Sequence, residues 1–354
     1  MTAALDINIT KAETSKLNEL SLENVPFGKY FTDHMLEAEY ANGEWTNIEI
    51  KPYQPLLLEP SLAALHYGQA IFEGIKAYKD SSDNAYIFRP YDNFRRFNTS
   101  AERMCMPQVP EEIFIEGMRQ LIELDKNWIP ARDNHSLYIR PVMFSTDTVL
   151  GVKPSDTYKF LIILSPTGPY YAAPMKIFVE EKYTRAAPGG VGFSKNAGNY
   201  GGSMMAAQEA KKLGYDQVLW TDAFGHKWLQ EVGMMNVFFV INNIVVTPSL
   251  EEGTILQGVT RDSIITLLKE AGIPVEERKI SIDELIAAHK AGTFTESFGA
   301  GTAATVALIK ELRYRDEIMN FAPEAAVVAP RVREQLNNIR YGVIADTHNW
   351  MFKI

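Results

Sequence analysis

The sequence predicts a two-domain protein of the α+β (mixed α/β) class, on three observations. The chain has 354 residues, which is longer than one typical domain. Apolar residues make up 46% of it, which is enough for large cores and excludes general disorder. Strand-like and helix-like patterns follow one another in no strict β-α-β order, which favours a mixture of sheets and helices.

Hairpins and amphipathic helices are predicted along the first 165 residues, which we take as the smaller domain. Asn42-Gly43 separates two alternating stretches and is a strong hairpin turn signal. Residues 66–74 resemble the opening of a helix. The other patterns predict a second hairpin of 75–78 with 85–88, helices over 92–104 and 111–125, and strands over 137–144 and 160–164.

A proline- and glycine-rich stretch, SPTGPYYAAP at 165–174, indicates where the first domain ends. We predict domains at 1–165 and 176–354, joined by a linker at 166–175. The second domain is predicted to contain strands over 176–181, 217–221 and 227–231, a hairpin of 236–241 with 244–247, and helices over 204–213, 261–271, 282–290 and 330–339.

Charge and composition exclude several classes of protein. The net charge of −9 and the pI of about 5.3 argue against nucleic-acid binding. The single cysteine excludes an internal disulfide and a thiolate zinc site, and the histidines form no HExxH pair, so we predict no metal. No apolar run approaches the ~20 residues that cross a bilayer, and the N-terminus lacks a signal-peptide core. We therefore expect a soluble, cytoplasmic protein.

One lysine, Lys195, lies among small, turn-forming residues in the stretch FSKNAGNYGG at 193–202, with Tyr200 five positions later. A lysine in a tight site can lose its proton and attack a carbonyl. On these ten residues alone, a loop lysine beside a helix start is slightly favoured. The rest of the chain has to decide between the two interpretations.

Two glycine–threonine turns follow in the second half. Gly258-Val259-Thr260 runs into the helix predicted over 261–271, which Thr260 can cap, and the N-terminus of a helix attracts anions. The second turn, FGAGTAA at 298–304, contains Thr302 and fits G-x-G-x-x-A. A strand-like TVALIKELRY follows it, so we reject a dinucleotide fingerprint and retain an anion-facing turn. An ordinary N-cap is the commoner interpretation of any single turn.

Arg96 and Glu231 supply the remaining charges. Arg96 shares a predicted helix with Arg95 and Arg103, so a solvated basic face is the default interpretation. A phosphate contact is the sharper one, because the guanidinium fork suits that anion. Glu231 lies beside an apolar stretch, and a buried carboxylate needs a cation. That cation is either a nearby basic side chain or the protonated pyridine nitrogen of a cofactor. Lysine, carboxylate, glycine turns and arginine together are the parts that a pyridoxal 5′-phosphate site needs.

Eight motifs stand in order along nearly the whole chain. They are FGKYFTDHMLEAEY, LHYGQAIFEGIKAY, FRPYDNFRRFNTSAERMCMP, SLYIRPVMF, SKNAGNYGGS, QEVGMMNVFFV, LQGVTRDSI and ESFGAGTAA. The set resembles the branched-chain amino acid aminotransferases, which are class IV aminotransferases of pyridoxal-phosphate fold type IV. The resemblance implies a two-domain architecture with the active site between the domains. It also implies transfer of an amino group between L-leucine, L-isoleucine or L-valine and 2-oxoglutarate, which becomes L-glutamate.

The resemblance also implies roles for residues at matching positions. Lys195 would tether pyridoxal phosphate and move a proton, Glu231 would hold the pyridine nitrogen protonated, and Tyr200 would bind the phenolic oxygen. The implied phosphate contacts are Arg96, Val259, Thr260 and Thr302. The implied substrate contacts are Phe27, Tyr67, Phe72, Tyr138, Arg140, Tyr170, Met234, Thr302 and Ala303, with Leu150 and Val152 on a loop that reaches the active site of a partner subunit. At least a homodimer is therefore expected.

Two positions depart from the family pattern. Ala304 and Ala307 stand where mammalian relatives have a Cys-x-x-Cys, so no thiol switch is expected there. Met234 replaces a threonine common after the EVG motif, so the family pattern does not predict the polar groups at that edge of the pocket. The alternatives are a D-amino acid aminotransferase or an aminodeoxychorismate lyase of the same fold, and, from another class, a non-catalytic pyridoxal-phosphate-binding protein.

Overall fold

The computed structural model describes residues 7–171 and 173–354. The strands up to residue 167 are β1 (Asn8–Ile9), β2 (His34–Ala41), β3 (Glu44–Pro52), β4 (Ala70–Phe72), β5 (Ile75–Lys79), β6 (Ala85–Phe88), β7 (Ser136–Ser145) and β8 (Tyr158–Thr167). The later strands are β9 (Met175–Val179), β10 (Gln217–Thr221), β11 (Leu229–Val232), β12 (Met235–Ile241), β13 (Ile244–Thr247), β14 (Val275–Glu277), β15 (Phe294–Gly301), β16 (Thr305–Tyr314), β17 (Glu317–Asn320) and β18 (Met351–Lys353). The helices are α1 (Ala63–Tyr67), α2 (Pro90–Arg103), α3 (Gly117–Leu124), α4 (Ala197–Lys212), α5 (Val259–Glu270), α6 (Ile282–Lys290) and α7 (Val328–Arg340). This mixture confirms the predicted α+β class.

The chain forms two compact units. The first comprises the described residues up to Tyr170 together with Ser194–Gly198 and Asn338–Ile354, and the second comprises Tyr171–Phe193 and Asn199–Asn337. The predicted domains at 1–165 and 176–354 and the linker at 166–175 stay a prediction. Within that linker Ala172 lies outside the described residues, and Thr167 is still the end of β8.

The first unit is built on one sheet. Its order in the described part of the chain is β1-β3-β2-β8-β7-β5-β6-β18, with β4 paired to β7. Helix α2 packs on this sheet through Phe97, whose ring lies 5.6 Å from that of Phe160 on β8. Phe114, from a π-helical turn before α3, lies 5.9 Å from the same ring. The aromatic cluster is the core of the unit and fixes the position of α2.

The second unit contains a closed ring of strands. Its sheet runs β11-β10-β9-β16-β15-β12-β13-β14, and an additional pairing of β11 with β12 joins the first and sixth strands of that order. This pairing gives β11, the first strand of that order, a neighbour on its second side. Apolar side chains of the ring, such as Ile177, Val237 and Leu312, are buried in one cluster. The short turns β11–β12 and β15–β16 leave this ring at neighbouring positions, since β12 and β15 are paired.

Most predicted elements are confirmed. Asn42-Gly43 forms the hairpin turn between β2 and β3, with φ of 54° and 86°, and Asn242-Asn243 forms that between β12 and β13 with φ of 52° and 62°. TVALIKELRY is strand β16, antiparallel to β15, as its β-branched residues indicated.

Three predicted elements were wrong in extent. Residues 66–74 are not a helix opening, because α1 ends at Tyr67, where Gly68 takes the left-handed conformation (φ 67°), and the chain then pairs as β4 with β7. Helix α4 begins at Ala197 rather than at 204, so the glycine-rich part of the lysine motif is helical. Helix α5 begins at Val259 and its N-cap is Gly258, so Thr260 does not cap it.

Candidate active site

Backbone hydrogen bonds hold Lys195 between β4 and α2 of the first unit. Its N–H donates to Ser100 Oγ at 2.9 Å, and its carbonyl accepts from the Phe72 N–H at 3.0 Å. The Lys195 side chain is half-buried, with Nζ 5.0 Å from the centre of the Phe72 ring. An ammonium over an aromatic face is stabilised by the ring quadrupole. Lys195 thus lies in a loop beside the start of α4, with its backbone bonded on both sides and its amine over an aromatic ring, and its role as a nucleophile stays a prediction.

Aromatic side chains form one cluster in the same unit. The Phe27 ring lies edge-on to Tyr138 at 4.7 Å and to Tyr170 at 5.0 Å. Arg140 donates from Nη2 to the Tyr138 hydroxyl at 2.8 Å, and its guanidinium lies 4.5 Å from the Phe72 ring centre. Burial, with a smaller contribution from Tyr138, raises the pKa of Tyr170. The predicted residues Phe27, Phe72, Tyr138, Arg140 and Tyr170 thus form one connected set.

A glycine, Gly74, leaves the space that Tyr138 occupies in this cluster. A Cβ at residue 74 would lie 2.3 Å from the Tyr138 hydroxyl oxygen, much closer than real contacts allow. Gly74 follows β4 and is buried, so its backbone lies close to the end of the Tyr138 side chain. The hydroxyl keeps its bond to Arg140 only while this position has no side chain.

Three predicted substrate contacts of the first unit lie on its surface. Tyr67, the last residue of α1, is 43% exposed. Leu150 and Val152, on the loop between β7 and β8, are 68% and 89% exposed. The Asp147 carboxylate anchors that loop by accepting from the N–H groups of Asp156 and Thr157. The assignment of Leu150 and Val152 to the active site of a partner subunit stays a prediction.

Arg96 has little exposure and makes a two-point ion pair, whereas its neighbour Arg95 is exposed. The side chain of Arg96 is 10% exposed, and its Nε and Nη2 donate to the two carboxylate oxygens of Glu73 at 2.7 and 2.8 Å. Arg95 is 66% exposed and bonds Asp92 one turn away on the same helix. The solvated basic face predicted as the default describes Arg95 and not Arg96. Sequence reasoning missed Glu73, because nothing in the local pattern links it to α2.

In the second unit, Glu231 is a buried carboxylate on β11. Its Oε2 pairs with Arg185 Nη2 at 2.9 Å, and its Oε1 accepts the Leu256 N–H at 3.0 Å. Arg185 also donates to the Thr254 carbonyl, so it is fixed from both sides. Of the two cations considered for Glu231 from the sequence, a nearby basic side chain is present, and it is Arg185. A carboxylate has about four acceptor positions, so this pair is compatible with a further donor at Glu231.

One asparagine, Asn236, contacts both Glu231 and the segment that leads into α5. Asn236 Nδ2 lies 3.0 Å from the Leu256 carbonyl and 3.4 Å from Glu231 Oε1, and Asn236 is the cross-strand partner of Glu231. A Cβ at Gly258 would lie only 1.9 Å from Asn236 Oδ1. Glycine is therefore favoured at the N-cap, where it has no side chain of its own to cap the helix. Val259 and Thr260, in its first turn, are buried.

The remaining predicted residues of the second unit lie at turns or helix starts. Thr302 and Ala303 form the half-buried turn between β15 and β16, and Met234, at the β11–β12 turn, is 52% exposed. The Met234 carbonyl would be 3.8 Å from a Cβ at Gly301, so the two turns are neighbours. Tyr200 is half-buried in the first turn of α4, which begins two residues after Lys195.

The described residues contain no cluster of three or more His, Cys, Asp or Glu that could hold a metal ion. A search of the same residues finds no helix with the length and apolarity needed to cross a membrane.

Comparison with known proteins places these features in a family. The family model for amino-transferase class IV matches residues 70–312. The probable branched-chain-amino-acid aminotransferase of Staphylococcus epidermidis is 48% identical over 337 residues, which cover 94% of each chain. The branched-chain-amino-acid aminotransferase 2 of Bacillus subtilis is 45% identical over 358 residues, covering 100% of this chain and 97% of the relative.

A solved structure agrees with this result. The branched-chain amino acid aminotransferase of T.th., complexed with N-(5'-phosphopyridoxyl)-L-glutamate, superposes with a TM-score of 0.70 at 27% identity, covering 89% of this chain and 97% of that one. The family model therefore shows that the chain is a class IV aminotransferase. Within that class, the chain belongs to the branched-chain-amino-acid aminotransferase family.

Proposed function

We propose that this chain is a pyridoxal-phosphate-dependent transaminase acting between L-leucine, L-isoleucine or L-valine and 2-oxoglutarate. The observation that carries the proposal is the position of the Lys195 amine, 5.0 Å from the Phe72 ring, which also contacts the Arg140 guanidinium of the aromatic cluster. A primary amine beside an apolar pocket can react with a carbonyl while the pocket binds an aliphatic side chain. Membership of the branched-chain family supports the same substrates.

The residues present fit pyridoxal phosphate. Lys195 offers an amine for its carbonyl carbon, and Glu231 a buried carboxylate for its pyridine nitrogen. The N-terminus of α5 at Val259-Thr260, where a Cβ at Gly258 has no room, suits a phosphate that approaches backbone amides closely. Arg96, Thr302 and the hydroxyl of Tyr200 complete the donors that we assign to the cofactor. This donor set supports the cofactor assignment.

Each side chain has a distinct task in this proposal. Bound pyridoxal phosphate supplies a carbonyl carbon for the amino group and a ring that withdraws electrons from the substrate Cα. Lys195 Nζ would accept the proton from the substrate Cα and deliver it to the cofactor carbon that receives the amino group. Glu231 holds a proton on the pyridine nitrogen, and Arg185 orients its carboxylate. Tyr200 donates to the phenolic oxygen.

The pocket lining explains how two unlike substrates can share it. A branched aliphatic side chain offers only carbon atoms, and each methyl group buried against rings such as Phe27 and Tyr170 contributes roughly 1 kcal/mol. A 2-oxoglutarate side chain carries a carboxylate, which needs donors. Arg140 and the Tyr138 hydroxyl that it contacts are the donors of this lining. We assign Tyr67 and the Thr302-Ala303 turn to the α-carboxylate, and Met234 to the edge of the pocket.

An absorbance experiment tests the proposal. The purified protein should be yellow, and L-leucine should shift the visible band to shorter wavelength, with 2-oxoglutarate restoring it. A panel of L-leucine, L-isoleucine, L-valine and D-alanine with 2-oxoglutarate then reports the rates. A yellow protein whose band no L-amino acid moves would refute transamination. Preferential reaction with D-alanine would identify a D-amino acid aminotransferase instead.

We further propose that the protein acts in the cytoplasm as at least a homodimer. The exposure of Leu150 and Val152, at 68% and 89%, supports a partner subunit that covers them. Light scattering coupled to size exclusion measures the mass directly. A monomer that is fully active would remove the assignment of these two residues to a partner's pocket.

A further inference from the structure

A closed circuit of hydrogen bonds in the first unit connects Lys195 with Arg96. The Lys195 N–H donates to Ser100 Oγ at 2.9 Å, and Ser100 Oγ donates to the Arg96 carbonyl at 3.1 Å. The Arg96 guanidinium binds Glu73 at 2.7 and 2.8 Å. Glu73 follows Phe72, whose N–H returns to the Lys195 carbonyl at 3.0 Å. The circuit joins three segments that are far apart in sequence.

Ser100 makes one local bond and one long-range bond. A serine or threonine that donates to the carbonyl four residues earlier is common in helices and satisfies only its own hydroxyl. Thr99 makes such a bond to the Arg95 carbonyl at the exposed side of α2. Ser100, which is buried, makes the same bond and also accepts from Lys195, 95 residues away. Its hydroxyl therefore fixes the lysine backbone relative to α2.

Glu73 fixes the plane of the Arg96 side chain. Its carboxylate is fully buried, and Oε2 accepts the Gly74 N–H at 3.0 Å in addition to the arginine. The Glu73 N–H donates to the Pro141 carbonyl at 2.8 Å, which anchors the backbone to β7. Two parallel bonds from one guanidinium impose an orientation that a single contact would not. A buried ion pair is weak evidence for stability, so its geometric effect is the more informative one.

We propose that Glu73 and Ser100 are positioning residues that preorganise Lys195 and Arg96 for the cofactor. The inference rests on the proposed function, because Lys195 is its tether and Arg96 its phosphate contact. Glu73 and Ser100 do not touch the cofactor themselves. They hold the tether backbone and the guanidinium in one fixed arrangement, so binding does not have to pay for ordering them.

The test is the dissociation constant for pyridoxal phosphate, measured by titrating the apoprotein and following absorbance. Ser100→Ala should weaken binding roughly fivefold, the effect of one hydrogen bond, and Ser100→Thr should restore it. Glu73→Gln should weaken binding roughly tenfold, because the amide replaces one of the two acceptors with a donor. In the double variant Glu73→Gln/Ser100→Ala, the loss should be smaller than the product of the single losses, since both changes open the same circuit.

Matched controls separate positioning from stability. Thr99→Ala removes the equivalent local helix bond, and Glu37→Gln removes a buried carboxylate paired with Lys51 and Lys159 on the same sheet. Neither should change the cofactor dissociation constant, and Glu37→Gln should also lower the melting temperature of the apoprotein. If the Glu73 variant does not fold, the Ser100→Ala and Ser100→Thr pair decides alone.

The outcomes distinguish the inference from the function on which it rests. Saturable binding by the wild type with unchanged constants in the variants would overturn the positioning role and leave the proposed function intact. Proportional losses in the controls would show that the circuit is structural only. A wild-type apoprotein that does not bind pyridoxal phosphate would overturn both.

Discussion

A buried lysine makes the stability of this protein depend on pH in a calculable way. Lys76 lies on β5 opposite Tyr138, with little exposure. Burial, assisted by the positive charge of Arg340, lowers the pKa of Lys76 from 10.5 to about 7. Burial disfavours the charged form of an amine, which accounts for the direction. The substitution Lys76→Met removes the amine while keeping a flexible chain of similar length.

The sign and size follow from proton linkage. In the unfolded chain Lys76 stays protonated up to about pH 10.5, whereas in the folded chain it loses its proton near pH 7. The unfolded state therefore binds more protons between these values, so stability rises with pH there, by about 1.4 kcal/mol for each pH unit. The burial penalty at or below pH 7 is on the order of 5 kcal/mol, which is large beside the 5–15 kcal/mol stability of typical proteins.

Urea unfolding of wild type and Lys76→Met at pH 6, 7, 8 and 9 and one protein concentration measures this effect. The variant should be more stable at pH 6, and its advantage should shrink by about 1.4 kcal/mol per pH unit above pH 7. Lys51→Met is the control: its ion pairs with Glu37 and Glu49 raise the pKa of Lys51 despite burial, so its deficit should stay constant over this range. Parallel curves for wild type and Lys76→Met would refute the reasoning.

Three further outcomes are expected at the candidate site. Lys195→Ala should abolish steady-state transamination while circular dichroism stays unchanged; measurable turnover would mean that another group moves the proton. Glu231→Ala should keep bound cofactor, detected by absorbance, and lose most of the single-turnover rate; an unchanged rate would remove Glu231 from the mechanism. Arg185→Met should destabilise the fold by about 3 kcal/mol in urea unfolding, because it leaves a buried carboxylate without its cation. Adding Glu231→Gln to Arg185→Met should recover part of that loss, and no recovery would contradict the pairing.

Local signals in the sequence were sufficient for most of the fold. Asn42-Gly43 and Asn242-Asn243 adopt the positive φ that their turns need, and this preference is a property of the residues themselves. The strand β16 was predictable because TVALIKELRY is rich in β-branched residues. The helix opening predicted over 66–74 failed because β4 exists only through its pairing with β7. Tertiary pairing overrode the local pattern there.

The candidate site divides in a similar way. The charged residues themselves, including Lys195, Arg96 and Glu231, could be selected from their surroundings in sequence and from the family motifs. Their partners could not, because Glu73 is 23 residues from Arg96, and Arg185 is far from Glu231 along the chain. No periodicity links positions so distant. Only the folded units show which acid meets which base.

The close approach of Gly74 to the Tyr138 hydroxyl has a consequence for redesign of the substrate range. Because a Cβ at position 74 would lie 2.3 Å from the Tyr138 hydroxyl oxygen, any side chain there would displace the tyrosine. Libraries intended to admit bulkier amino acids should therefore leave positions 74 and 138 unchanged and vary Phe27 and Tyr170, whose rings meet edge-on. Substitutions at Phe27 and Tyr170 are therefore the ones that we expect to change the substrate range.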